Sequence, residues 1–228
     1  MYYLNLNRKY KFEKSKIFLF HHAGVEYSLQ KIAEDKKDEI LVWYGSQKKE
    51  LSSTKNPICN LPYIVTDEGE YITETIAIMI YLGEKYGYYG ENIIEKTRIN
   101  QILMRLVDFR ADIRDNIMLC PKSDPKKSKF AGYGQGSQSM AKYYRNYLGE
   151  IDGKFHNSST WNLGYGLSTY LQQFENCFKL WKNEDFLCSD KISVADIMLF
   201  QMLDKVLLWK PDALKRYVSM SSWYHSLR

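Results

Sequence analysis

The spacing of apolar residues changes character along the chain. Up to Gly90 short alternating runs trade places with helical ones, and from Glu91 onward the spacing is helical. "YYLNL" at 2–6 predicts a short strand, "FEKSKIFLFHH" at 12–22 a helix, Gly24 a break, and "VEYSLQKI" at 25–32 a second strand. A strand-helix-strand opening predicts that the first two strands run parallel. After a polar stretch carrying Trp43 and the lysines of "SQKKE", residues 60–87 read "NLPYIVTDEGEYITETIAIMIYLGEKYG". This stretch predicts two more strands joined at Asp67-Glu68-Gly69, then a helix from about Thr75 to Tyr86 stopped by Gly87.

Ile99, Ile102, Leu103, Leu106, Phe109, Ile113 and Ile117 recur at helical spacing and predict one long amphipathic helix with a polar back face. "LSTYLQQFENCFKLW" predicts another. "SVADIMLFQMLDKVLLW" is apolar on nearly every side, as expected of the central helix of a bundle. Ser193 and Asp196 have the spacing of a capping box, and Ile192 with Ile197 sit where a hydrophobic staple belongs. Residues 130–166 are rich in Gly, Ser and Tyr; "SQSMAKYYRNYLGEI" could make a short helix there, between two loop-like ends. A loop this long in a compact domain is usually functional or disordered. The pattern thus predicts an α/β domain over 1–88 and an all-helical domain over 89–228 interrupted by the loop-like segment at about 130–166, hinged near 87–92.

Composition adds few constraints. At 228 residues the chain buries enough apolar surface to fold without disulfides, and 45% hydrophobic with 26% charged residues is ordinary for a globular protein. Nineteen tyrosines suggest amphipathic packing or interface positions but name no function. The net charge of +5 comes from lysines scattered among acids, which predicts a solvated surface and no nucleic-acid partner; Lys126-Lys127-Ser128-Lys129 reads as a solvated loop. Cys59, Cys120, Cys177 and Cys188 form no C-x-x-C pair and no metal spacing with the four histidines, so free thiols, no metal and a reducing compartment are expected. No apolar run is long enough to span a bilayer, and "MYYLNLNRKYKFEK" has neither a signal-peptide core nor a transit composition. The expected location is cytoplasmic, with an organelle left open, and the sequon at Asn157 means nothing without secretion.

The candidate chemistry lies in 60–75. Proline at the first residue of a strand loses no ladder donor, and only an X-Pro bond takes the cis form cheaply. A cis Leu61–Pro62 bond would turn the Leu61 N–H and C=O outward, towards the backbone of a peptide-like ligand; an ordinary edge-strand start is the plainer alternative. Glu74 and Thr75 stand at a helix N-terminus, where unpaired N–H groups bind a carboxylate. Thr75 adds a hydroxyl donor and Glu74 can pair with an ammonium, although both residue types also serve as simple caps. A strand edge beside such a terminus suits a zwitterionic amino-acid-like group joined to an extended peptide, and glutathione has that shape.

These residues resemble the strand-turn-strand-helix half of the thioredoxin-like domain of glutathione S-transferases, in which an L-P pair precedes an acid or glutamine, a hydroxyl residue and a helix ending in Y-L-x-x-K-Y-G. "DKISVADIMLFQMLD" is similar to the capped core helix of that family's second domain, and "GENIIEKTRINQILMRLVDFRADIRDN" is similar to the mu or sigma type. The resemblance covers most of the chain except 130–166. It implies an α/β thioredoxin-like domain plus an all-α domain, with glutathione as substrate or ligand and a homodimer formed through the long helix. By this match Asn60, Leu61, Pro62, Glu74 and Thr75 fall on glutathione-contacting positions. Asp108 falls on the acid that reaches the partner subunit's site, and Trp43 with Lys49 on the pair that holds the glycyl carboxylate.

The chain also departs from that pattern. Attack by glutathione needs a donor that stabilises its thiolate. The family places this donor, usually a tyrosine, at the end of the first strand, where this chain has Leu6 between Asn5 and Asn7. The following Arg-Gly pair is replaced by "RKYKFEK". Asn7 could act as a weak neutral donor, and a shifted alignment would bring Tyr10 or Tyr3 instead. "DNIMLCP" offers Met118 and Cys120 where the mu type has a substrate tyrosine, the 130–166 insertion falls at the electrophile wall, and "SSWYHSLR" stands where the family continues into a covering helix and tail. Two expectations follow. One is a glutathione transferase that conjugates electrophiles or reduces a peroxide; the other is a non-catalytic subunit of a larger assembly, docked through the insertion. Cys59, three residues before Pro62, is expected to be a bystander thiol, and His21 and His22 suit the C-terminal dipole of their helix.

Overall fold

The computed structural model describes residues 2–7, 13–32, 37–113, 167–181 and 185–228. β1 (Tyr2–Asn7) is followed by α1 (Glu13–His22) and β2 (Tyr27–Ile32), and β1 pairs with β2 in parallel, Leu6 opposite Lys31. The helix ends where His21 and His22 lie in its last turn and Gly24 takes φ 63°, a backbone that glycine adopts without Cβ strain.

The stretch after β2 is more ordered than its polarity suggests. α2 (Lys37–Val42) runs through a π-helical turn (Trp43–Gln47) into α3 (Lys48–Thr54). The wide turn has a physical consequence: the Lys48 N–H bonds the Trp43 C=O five residues back, so residues 43 and 48 come into line where an α-helix would align 43 with 47.

β3 (Tyr63–Val65) and β4 (Tyr71–Thr73) complete a mixed sheet of order β2-β1-β3-β4, with Asn5 opposite Tyr63 and Tyr63 opposite Thr73, both pairings antiparallel. Their connection closes on Thr66, whose N–H bonds Glu70 C=O at 2.9 Å and whose Oγ1 accepts the Glu70 N–H at 3.2 Å, while Gly69 takes φ 86°. Lys85 clamps the tip through Asp67 at 2.8 Å and Glu68 at 3.2 Å. α4 (Thr75–Tyr86) buries Ile78, Met79 and Leu82 and ends on Gly87 in the left-handed region, as the sequence predicts.

The helical part contains α5 (Ile93–Ile113), α6 (Leu167–Trp181), α7 (Val194–Trp209) and α8 (Val218–Ser226). α5 starts on an N-x-x-E box: Asn92 Oδ1 accepts the N–H groups of Ile94 and Glu95, and Glu95 Oε2 accepts the Glu91 N–H. α7 starts on the predicted S-x-x-D box, with Ser193 N–H to Asp196 Oδ2 at 2.9 Å and Ser193 Oγ to the same oxygen at 2.6 Å. Ile117 and the short helix suggested within 130–166 lie outside the described residues.

Two compact units divide the chain. The first comprises Met1–Leu103 with Cys188–Gln201 and contains the sheet, α1–α4 and the first part of α7. Within it Gly83 is packed so closely that a Cβ would meet Val194 Cγ1 at 3.0 Å, and Val194 N–H bonds Tyr88 C=O at 2.9 Å. The second comprises Met104–Leu187 with Met202–Arg228. There Phe109 stacks on Tyr170 at 4.6 Å, Phe178 meets Trp223 at 5.2 Å, and Tyr224 donates to Asp204 Oδ1 at 2.5 Å.

Candidate functional site

The segment Asn60–Leu61–Pro62 leads into β3, and its Leu61–Pro62 peptide is cis. Thr73, buried at the end of β4, ties down both sides of Leu61. Its Oγ1 accepts the Asn60 N–H at 3.2 Å and lies 2.8 Å from Asn60 C=O and 3.2 Å from Pro62 C=O, to one of which it donates. Among the described residues neither the N–H nor the C=O of Leu61 has a hydrogen-bond partner. A strand edge with a peptide unit left open can accept a further strand-like chain. The antiparallel pairing of β1 with β3, continued one residue beyond Asn5 and Tyr63, brings Leu6 opposite Pro62, so the end of β1 reaches this same place.

One residue after Thr73 the backbone turns sharply. Glu74 takes φ 68° and ψ 125°, outside the regions that residues with a Cβ favour. Its side chain is exposed, and among the described residues the start of α4 has no side-chain cap, so the plain capping role for Glu74 and Thr75 is not realised. The first N–H groups of α4 are therefore available, together with the half-buried Thr75 hydroxyl. Lys16 of α1, fully buried, donates from Nζ to Thr75 Oγ1 at 3.5 Å.

Trp43 is 1% exposed and stacks on Tyr63 at 5.8 Å in a small cluster that includes Cys59 and Leu61. Its indole Nε1 is buried and among the described residues has no hydrogen-bond partner, an arrangement that costs free energy unless a ligand or water supplies an acceptor. Lys48, aligned with Trp43 by the π-helical turn, donates to Asn60 Oδ1 at 3.3 Å, while the neighbouring Lys49 is exposed. Burial pushes the Cys59 thiol up, partly offset by the Lys48 charge, which keeps it protonated and unreactive at neutral pH.

The first unit therefore brings together Trp43, Asn60, Leu61, Pro62, Glu74 and Thr75. Sequence reasoning missed Thr73, Lys48 and Lys16. Thr73 carried a readable signal, since a β4 threonine faces the β3 entry by strand pairing; Lys48 depended on a π-helical turn that no residue pattern announces. Asp108 lies on α5, in the second unit, exposed and paired with Arg105 Nη1 at 3.2 Å; Arg105 also donates to Gln173 and lies 4.3 Å over the Tyr170 ring. Leu6 and Asn7 are the last two residues of β1, and Tyr10 lies outside the described residues. Among the described residues no group of three or more His, Cys, Asp or Glu could hold a metal ion, and no helix is long and apolar enough to cross a membrane.

A mixed four-stranded sheet in thioredoxin-like order, followed by a bundle of helices, is the architecture of glutathione S-transferases, and comparison with known proteins gives the same class. The chain superposes on a monomeric glutathione S-transferase of the hookworm Necator americanus with a TM-score of 0.70 at 16% identity, covering 100% of this chain and 91% of that one. It superposes on a glutathione S-transferase of Ascaris lumbricoides with a TM-score of 0.67 at 19% identity, with the same coverage. The fold is therefore the glutathione S-transferase fold. In sequence, residues 140–228 match the family "Glutathione S-transferase, C-terminal domain", a match that begins inside the segment read as an insertion. The chain is 23% identical over 207 residues to S-crystallin 2 of Enteroctopus dofleini, covering 90% of this chain and 80% of that protein. It is 24% identical over 164 residues to Glutathione S-transferase Mu 3 of Homo sapiens, covering 72% and 56% respectively. It thus spans little more than half the length of that mu-class relative. The resemblance to glutathione S-transferases of mu or sigma type stands.

Proposed function

We infer that the chain binds glutathione in its first unit and uses it as a transferase, through the site around Leu61. The observation that carries this reading is the open Leu61 peptide beside the uncapped start of α4. An extended tripeptide would pair its backbone with Leu61, present its γ-glutamyl carboxylate to the α4 N–H groups and the Thr75 hydroxyl, and set its ammonium near Glu74. The unpartnered Trp43 Nε1 and the Lys48 ammonium offer a donor and a charge for the glycyl carboxylate, with Lys49 on the same helix. Attack on an electrophile also needs thiolate stabilisation, for which Asn7 and Tyr10 are the candidates. This reading includes a domain boundary at 88/89, a reducing, cytoplasmic setting and a homodimer through α5, with Asp108 reaching the partner's site.

A second reading is favoured by Leu6, which has no group to stabilise a thiolate, and by the sequence match to a crystallin over most of the chain. It makes the chain a non-catalytic subunit that keeps the fold in a larger assembly, with residues 130–166 as a docking element. Calorimetric titration of glutathione into wild type, Thr75→Ala and Glu74→Ala, with an aryl-halide assay on the same wild-type sample, separates the two. Micromolar to low-millimolar binding, weakened in both variants, with turnover, supports the transferase. Binding without turnover supports the non-catalytic subunit. No binding removes the ligand reading.

A further inference from the structure

Thr73 is buried, and its hydroxyl bonds the backbone on both sides of Leu61. Three backbone groups flank Leu61 closely enough to compete for its partners: the Asn60 N–H, the Asn60 C=O and the Pro62 C=O. All three lie within 3.2 Å of one buried hydroxyl oxygen. These groups belong to half-buried residues, where an unpaired N–H or C=O still costs free energy, so without this hydroxyl the segment would gain by shifting to satisfy them elsewhere. Thr73 belongs to β4, whose register is fixed by its pairing with Tyr63, so the hydroxyl is held by the sheet and not by the loop it fastens. Its position immediately before Glu74 means that one short run, Thr73-Glu74-Thr75, serves both ends of the candidate site.

We propose that Thr73 is a positioning residue for ligand binding: by accepting the Asn60 N–H and donating to one of the Asn60 and Pro62 carbonyls through Oγ1 it holds the Leu61 N–H and C=O free to pair with the cysteinyl backbone of glutathione. This rests on the glutathione reading above. It adds a residue that acts through the peptide of Leu61 and contacts no ligand atom itself.

The test compares wild type, Thr73→Val and Thr73→Ser by calorimetry, with glutathione and with glutathione N-methylated at its cysteinyl amide, and follows thermal unfolding of each variant. Valine keeps the branched shape and removes the hydroxyl; serine keeps the hydroxyl. Glutathione affinity is expected to fall about tenfold or more in Thr73→Val, since the ligand's hydrogen bonds to a displaced Leu61 edge are lost, and to return close to wild type in Thr73→Ser. N-methylation should weaken binding to wild type and Thr73→Ser, and should cost much less in Thr73→Val, because the Leu61 edge is no longer presented. A role confined to stability would lower the melting temperature without changing the cost of N-methylation. Equal affinity of wild type and Thr73→Val, or the same N-methylation cost in both, overturns the inference while leaving the glutathione reading intact. Should Thr73→Val fail to fold, an N-methylated ligand that binds wild type as tightly as glutathione overturns it together with the pairing at Leu61, while glutathione binding itself stands. A wild type that binds no glutathione overturns the reading and the inference together.

Discussion

At the scale of single residues, Glu74 carries the clearest sign of a conformation held for use. A side chain at φ 68° and ψ 125° costs of order 1–3 kcal/mol relative to a relaxed backbone. Nothing local rewards it, because Glu74 is exposed and makes no cap. Alanine would keep the cost and lose the carboxylate, whereas glycine would remove most of the cost. Glycine also raises the entropy of the unfolded chain, by roughly 0.5–1 kcal/mol. The expected result is a higher melting temperature for Glu74→Gly than for Glu74→Ala, with glutathione binding weakened in both. A Glu74→Gly protein that melts below Glu74→Ala would show that the backbone here is not strained. Residue types in 60–75 made this place legible in sequence, since Pro62, Glu74 and Thr75 each need a special backbone or a helix start. Thr73 is visible as a β4 threonine, but its hydroxyl bonds a segment 13 residues earlier, which residue type alone does not reveal.

At the scale of elements, what sequence revealed depended on how local the cause was. The start of α7 is predicted by S-x-x-D and the structure uses it, while α5 begins on an N-x-x-E box that is equally local but was not read from the sequence. The start of α8 was not legible, because its cap comes from another helix. Glu175 of α6, 1% exposed, accepts the Ser219 N–H at 3.2 Å and the Met220 N–H at 2.9 Å, and Lys179 lies 3.0 Å away. Burial alone pushes this carboxyl up. The hydrogen bonds from Met220, Lys179 and Ser219 outweigh it and hold the group below the ordinary glutamate value of 4.5. A carboxylate depressed in the folded state adds stability that is present above its unfolded pKa and disappears as pH falls through the folded value. Glu175→Gln keeps an acceptor but loses the charge, so it should cost about 1–2 kcal/mol near pH 7, the typical worth of a charged cap. The melting-temperature gap between wild type and Glu175→Gln should narrow as pH drops below about 4.5. A gap that is constant from pH 7 to pH 3 would mean that the charge contributes nothing to the cap.

At the scale of the whole molecule, the change in hydrophobic rhythm at Glu91 marked where strands give way to helices, while the compact units divide α5 and α7 between them. Periodicity shows that a helix has a buried face; it does not say which neighbour covers each half of that face. The same limit applies to oligomer formation, because an apolar residue that is exposed in one chain looks in sequence like any other core position. α5 exposes Met104 at 50% and Val107 at 41%, three residues apart and so on one side of the helix, next to the exposed Asp108. A dimer through α5 would cover this stripe and let Asp108 act at the partner's site, but scattered exposed apolar residues are also normal on a monomer, and one relative of the same fold is described as monomeric. Light scattering on wild type and on a Met104→Lys/Val107→Lys double variant decides between these arrangements. A dimeric wild type, a monomeric variant and weaker glutathione binding in the variant and in Asp108→Asn are the expected outcomes. A monomeric wild type at every concentration would remove Asp108 from the site, leaving ligand binding to the first unit alone.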